Sequence, residues 1–132
     1  MRRKKLDRPY RPGRFAYERL DRVLHERARL GIMASLVTHP EGRGFSDLKR
    51  LCALTDGNLS RHIDILRDAG LIEVWKGVEH RRRLTICRLS PEGRHRFLTY
   101  LEELVQVIRD TMPDASRRID RPPDPPPGFQ AI

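Results

Sequence analysis

The sequence predicts a mostly α chain with one small β-hairpin (α+β), and three observations carry that prediction. First, Phe45–Gly70 (FSDLKRLCALTDGNLSRHIDILRDAG) holds two short apolar series, Leu48/Cys52/Leu54 and Leu59/Ile63/Leu66, separated by Thr55-Asp56-Gly57. The spacing within each series is helical. Second, Leu71–Lys76 and Arg83–Leu89 are rich in β-branched and aromatic residues and flank a polar stretch, Gly77–Arg82, the composition of a hairpin. Third, Phe97, Leu101, Leu104 and Ile108 recur at 4-3-4 spacing behind Ser90-Pro91-Glu92-Gly93, which reads as a helix start followed by a seam.

The elements follow in order. Residues 1–14 (MRRKKLDRPYRPGR) hold two prolines, a glycine and seven basic residues, and are expected to form a flexible basic arm. A helical pattern is expected from Phe15, with Leu20, Val23 and Leu24 as its apolar members. A second helix is expected over His25–Thr38, with Ala28, Met33, Leu36 and Val37 on one side and Ile32 close by; His39-Pro40-Glu41-Gly42-Arg43-Gly44 stops it. Within the opening segment, Thr55/Asp56 offers an N-cap oxygen and Gly57 is expected to take the change of direction. Gly70 is a C-cap residue. In the hairpin, Thr85, Cys87 and Leu89 share one face and Leu84 and Ile86 the other. The last helix has Ser90 as N-cap, Pro91 at N1 and Glu92 at the positive end of the dipole, and runs to about Asp110. The domain thus covers 15–110, and a Pro-rich tail, 111–132, follows it.

Composition narrows the partners. The chain has 132 residues, enough for one small domain with tails. Its formal net charge of +9 points to a polyanion, nucleic acid or an acidic membrane surface. The excess is uneven: residues 1–20 carry eight Lys/Arg against two Asp/Glu, whereas 21–110 carry sixteen against thirteen. The folded part is therefore only mildly basic. Cys52 and Cys87 both sit in apolar patterns with no CxxC, which fits buried thiols in a reducing cytoplasm. No apolar run approaches a membrane span, and MRRKK is not followed by an apolar core of a signal peptide. His25, His39, His62, His80 and His95 lack the spacing of a metal site, so no metal or other cofactor is expected, and His62 reads as a packing or capping residue. There is no Gly-rich phosphate loop, paired-carboxylate site or nucleophile elbow, so no enzyme is expected.

Two helices joined by a tight turn hold the second helix proud of the body, as entry into a DNA major groove requires; with the hairpin behind it, the unit is a winged helix–turn–helix. With Leu59, Ile63 and Leu66 inward, the outer face of the second helix carries Gly57, Ser60, Arg61, Asp64 and Asp68, flanked by Asn58 and Arg67. Arg61 can fork onto guanine, Asn58 can read adenine or a phosphate, and Ser60 can bond either. Asp64 would repel phosphate unless it sits over bases, pairs with an arginine or points away. Lys76, Arg81, Arg82 and Arg83 supply phosphate contacts from the wing, and Ser46, Lys49 and Arg50 supply them from the supporting helix. The MRRKK arm suits an adjacent minor groove or a solvated tail equally well.

The runs HERARLGIMASL, FSDLKRLCALTDGNLSRHIDILRDAGLIEVWK and RRRLTICRLSPEGRHRF resemble the winged helix–turn–helix transcriptional regulators of the MarR/ArsR-like group, over roughly residues 20–108. The strings Thr55–His62 and Leu89–Arg94 carry the resemblance most specifically. It implies a recognition helix at Asn58–Ala69, a wing at Lys76–Arg83, and a homodimer on a near-palindromic stretch of double-stranded DNA. It also implies a dimer interface on the N-terminal helix (Phe15, Leu20, Leu24) and the last helix (Phe97, Leu98, Leu101, Leu104, Val105, Ile108). The expected function is a cytoplasmic, sequence-specific regulator of transcription, acting as a repressor. The alternatives are a winged-helix protein-interaction module and an effector- or metal-responsive sensor.

Overall fold

The computed structural model describes residues 11–115 and 122–132. Most of the N-terminal arm and part of the Pro-rich tail lie outside the described residues. The element order is α1 (Arg27–Val37), β1 (Arg43–Gly44), α2 (Phe45–Leu51), α3 (Asp56–Asp68), β2 (Ile72–Glu79), β3 (Arg82–Leu89) and α4 (Pro91–Ala115). The three strands form an antiparallel sheet in the order β1-β3-β2, with Arg43 opposite Cys87 and Val74 opposite Cys87 on the other side. Leu24, Ile32, Met33, Leu36, Leu48, Leu59, Leu66, Leu71, Cys87, Phe97 and Tyr100 are enclosed together, so helices and sheet share one core. Burial lifts the Cys87 thiol to about 11, which keeps it protonated and inert.

The expected helix from Phe15 is absent: residues 11–26 form a series of turns. The reason is local. Glu26 is the N-cap of α1, in extended conformation, and its carboxylate accepts from the backbone N–H groups of Ala28 (3.1 Å) and Arg29 (2.9 Å). This extended cap closes α1 off from the preceding residues, which gain no helical bonds from it. Upstream, the Asp21 carboxylate accepts from the Val23 N–H at 2.9 Å, a side-chain turn that competes with helix. The segment is instead strapped along α4. Tyr17 Oη donates to Asp110 at 2.8 Å, the Arg19 N–H donates to Glu103 at 3.0 Å, and Arg96 Nε donates to Asp21 at 3.1 Å.

The turn before α3 also differs from expectation. Gly57 lies inside α3, and the left-handed residue is Ala53 (φ 53°). Thr55 is the N-cap, its hydroxyl accepting from the Asn58 N–H at 3.2 Å. At the other end Gly70 (φ 77°) donates to Arg67 O and Leu71 N donates to Leu66 O, both at 2.9 Å. This Schellman ending turns the chain directly into β2. The hairpin is tighter than predicted, with strands extending to a two-residue loop, His80-Arg81, both at positive φ (52° and 63°). That is the signature of a type I′ turn, whose twist matches the strands. β1 was not predicted, since two residues behind a Pro/Gly stop carry no periodicity.

Ser90 caps α4 as expected, its hydroxyl accepting from the Gly93 N–H at 2.8 Å. The helix continues past Asp110 to Ala115, through Pro113. Leu24 and Phe97, expected at a dimer interface, are 0% and 2% exposed within the single chain. They pack in the protomer's own core and leave no surface for a second copy, which corrects that assignment. At Gly93 a Cβ would lie 1.8 Å from the Leu71 carbonyl oxygen. We therefore predict that Gly93→Ala loses about 1–3 kcal/mol or more of stability, as forced overpacking does. Urea denaturation would show it as a lower midpoint at an unchanged slope, and an unchanged midpoint would contradict this packing.

Candidate nucleic-acid interface

Helix α3 separates its residues as the sequence predicts. Leu59, His62, Ile63 and Leu66 are buried, while Asn58, Ser60, Arg61, Asp64, Arg67 and Asp68 are exposed. The charged residues on the outer face are not equivalent. Arg67 is held by Asp64 (3.0 Å) and by Asp68 (3.8 Å). Arg61 has no ion pair or hydrogen bond among the described residues, so its guanidinium is the cation on this face that is ready for an external partner. Ser60 stands beside it, and Asn58 stands on the first turn.

On α2, Lys49 pairs with Asp56 at 2.9 Å and Arg50 with Asp47 at 2.8 Å. Both pairs are exposed and worth little, about 0–1 kcal/mol each, so either cation could be exchanged onto a phosphate. The Lys49–Asp56 pair also ties α2 to the first residue of α3. Ser46 is exposed at the start of α2.

In the hairpin, Lys76, Arg81, Arg82 and Arg83 are all exposed. Pairing puts Val78 opposite Arg83, and Lys76 opposite Thr85. Alternation then places Lys76 and Arg83 on the sheet face whose base is the buried Ile72 and Cys87. Arg82 lies on the opposite face, across from Glu79, and Arg81 occupies the turn. The wing therefore offers cations to both sides and at its tip.

A cluster the sequence did not reveal covers the outer sheet face. Trp75 is 54% exposed, the Arg88 guanidinium lies 4.9 Å from its ring centroid, and Glu73 accepts from both Trp75 Nε1 and Arg88 Nε at 3.2 Å. The signal was available in the alternation of β2, which sets Trp75 opposite in sense to Ile72 and Val74.

His62 anchors α3 from below. Its Nδ1 lies 3.1 Å from Arg29 Nη1 and 3.6 Å from Glu26 Oε2. Arginine only donates, so His62 accepts at Nδ1 and carries its proton on Nε2. Arg29 Nε in turn donates to Val23 O at 2.6 Å, joining the N-terminal turns, α1 and α3 through one guanidinium. Burial, with Arg29 and Arg61 nearby, holds His62 below the ordinary histidine value despite Glu26. A depressed histidine stabilises the fold above its unfolded pKa and loses that contribution as pH falls. We predict that stability declines as pH drops below about 6.5. Replacing His62 with Gln should flatten this acid limb in melts run from pH 7.5 to 5, and identical limbs would refute the assignment.

Comparison with known proteins agrees with this geometry. The family model described as a winged helix DNA-binding domain matches residues 28–108. An uncharacterized protein of Methanocaldococcus jannaschii is 36% identical over 66 residues, covering 50% of this chain and 72% of that protein. A transcriptional regulator homologue from Pyrococcus horikoshii superposes with a TM-score of 0.67 at 28% identity, covering 74% of this chain and 95% of that one. A MarR-family transcriptional regulator from Silicibacter pomeroyi matches in fold with a TM-score of 0.51 at 20% identity, over 71% of this chain and 65% of that one. A Mycobacterium tuberculosis transcriptional regulator, solved in complex with DNA, shares the fold with a TM-score of 0.53 at 17% identity, over 80% and 72% of the two chains.

Proposed function

The chain belongs to the winged helix DNA-binding domain family, and from that premise we propose a sequence-specific DNA-binding regulator of transcription that acts as a homodimeric repressor on a near-palindromic operator. The observation that carries the reading is the outer face of α3, where Arg61, unpaired among the described residues, stands beside Asn58 and Ser60 while the neighbouring acids are occupied by Arg67. Arg61 reads a base edge, the wing cations Lys76, Arg81, Arg82 and Arg83 hold phosphates, and Lys49 and Arg50 exchange their acidic partners for the backbone. The role is binding, performed in the cytoplasm, and repression follows from occlusion of a promoter.

Dimerisation is supported by α4. Its inward stripe is taken by the core, yet a second stripe remains exposed: Leu98 (54%), Val105 (43%), Ile108 (52%) and Met112 (54%). These follow helical spacing suited to a partner helix. Antiparallel pairing about Val105 sets Leu98 against the second copy's Met112, and exposed Glu102 against its Arg109. Parallel pairing would leave these residues on opposite flanks of the seam, so the antiparallel register, which brings the opposite charges together, is the one proposed. Leu101 and Leu104 lean on the core and contribute only their outer edges. Of the N-terminal candidates, Phe15 is exposed and Leu20 half-buried. Such a pair sets two recognition helices in successive major grooves, roughly 34 Å apart.

Electrophoretic shifts against genomic fragments, including the gene's own promoter, test the reading; absence of any preferred fragment at moderate salt would end it. On the preferred fragment, Arg61→Ala should cost about 1–3 kcal/mol and relax base preference, whereas neutralising Arg81–Arg83 should weaken all sequences alike and flatten the salt slope. For the dimer, Val105→Arg should give a monomer by light scattering. Exchanging Glu102 and Arg109 in one chain should leave the dimer intact, whereas reversing either alone should weaken it.

A further inference from the structure

Within the described helices and strands, five glycines interrupt regular backbone: Gly31, Gly44, Gly57, Gly77 and Gly93. Glycine weakens an element that another residue would strengthen, so each calls for a cause. Gly93 has one in the Leu71 carbonyl. Gly31 and Gly44 have neighbours at ordinary contact distance, Cys52 Sγ at 3.7 Å for the first and Asp47 and Thr85 at 3.9 and 4.0 Å for the second, which would tolerate a Cβ; Gly44 also ends β1 and caps α2. Gly57 and Gly77 are different. A Cβ on either would meet nothing within 4 Å, and neither has the left-handed φ that excludes side chains. Nothing among the described residues requires glycine at these two positions.

Their locations coincide with the proposed interface. Gly57 is on the first turn of α3, one residue before Asn58 and four before Arg61, on the exposed face. Gly77 is in β2 beside Lys76, opposite Leu84, and floors a shallow hollow of about 170 Å³ between Trp75, Glu79 and Ile86. Helix α3 and strand β2, two of the elements proposed to meet DNA, are where a glycine of the described helices and strands opens onto empty space.

We propose that Gly57 and Gly77 are the points where DNA approaches the protein backbone most closely, each omitting a side chain for the sake of the partner. This rests on the DNA-binding reading above. Gly57 lets the floor of the major groove reach the helix surface between Asn58 and Arg61, so it restricts which base pair fits there; the first turn of a recognition helix is where base edges are met. Gly77 lets a sugar–phosphate wall lie flush against the wing, which positions the protein without reading sequence. The argument concerns the missing Cβ and not the helix amides, and it implies opposite signs for stability and affinity.

The test is Gly57→Ala and Gly77→Thr in the full chain, each assayed by thermal melting and by titration of the preferred fragment and an unrelated fragment. The expected result is an equal or higher melting temperature together with weaker binding. Gly57→Ala should lose about tenfold or more on the preferred fragment, the size of one mismatched base pair, with little change on the unrelated one. Gly77→Thr should weaken both fragments alike. Unchanged affinity in both variants, with wild-type binding intact and Arg61→Ala impaired, overturns the inference and leaves the DNA-binding reading standing. A lowered melting temperature in both overturns it as well, because the glycines would then serve the fold. If the wild type prefers no fragment and Arg61→Ala changes nothing, the reading itself fails and the inference falls with it.

Discussion

The mutual placement of α3, the hairpin and α4 depends on one backbone crossing. The Schellman ending of α3 delivers Leu71 to a point where its carbonyl accepts from the Ser90 N–H at 3.1 Å and lies against Gly93. Ser90 Oγ meanwhile donates to Gly70 O at 2.6 Å and accepts from the Gly93 N–H. Four consecutive constraints thus join the end of α3, both ends of the hairpin and the start of α4 within a few residues. A side chain at position 93 would push these three elements apart together, moving the wing relative to Arg61. The interface is therefore set by packing some distance from any residue that would touch DNA, a pattern in which small backbone shifts have large effects on what side chains can reach.

Much of this was legible in the sequence, for identifiable reasons. Leu59, Ile63 and Leu66 announced the buried side of α3, and Ser90-Pro91 announced the start of α4, because caps and helical periodicity act locally. The hairpin was legible from β-branched content, but its tightness was not: His80-Arg81 lacks the glycine or asparagine that signals a type I′ turn. The segment 15–24 misled because Leu20, Val23 and Leu24 have the same apolar pattern whether wound in a helix or strapped over a core. What decides is Glu26, a residue outside the usual capping set, whose carboxylate finds two N–H groups. Along α4 the sequence showed one broad apolar band. Only the three-dimensional packing divides it into Phe97, facing inward, and Leu98, Val105, Ile108 and Met112, facing out.

Electrostatics divides the surface in a similar way. A count of charges treats Arg61, Arg67, Lys49 and Arg50 as equals, but the last three are paired with nearby acids. The face of α3 is close to neutral in sum and still presents, in Arg61, a guanidinium with no ion pair among the described residues. Such a surface gives up general attraction to polyanions in exchange for discrimination, since exposed ion pairs are labile while a misplaced acid next to phosphate is costly. The partly buried counterpart is the Glu26–Arg29–His62 group, whose Arg29–His62 hydrogen bond holds α3 from beneath.

The hairpin loop adds a constraint on how this protein can change over generations. His80 and Arg81 both occupy left-handed backbone, at a cost of about 1 kcal/mol or more each for residues with side chains. Asn-Gly would relax that cost, but it would also remove a cation from the tip and an imidazole beside it. Mutational routes toward a sturdier wing and routes toward a more basic one therefore diverge at these two positions. A lineage under thermal selection and one under selection for tight binding would be driven to different loop sequences on the same scaffold.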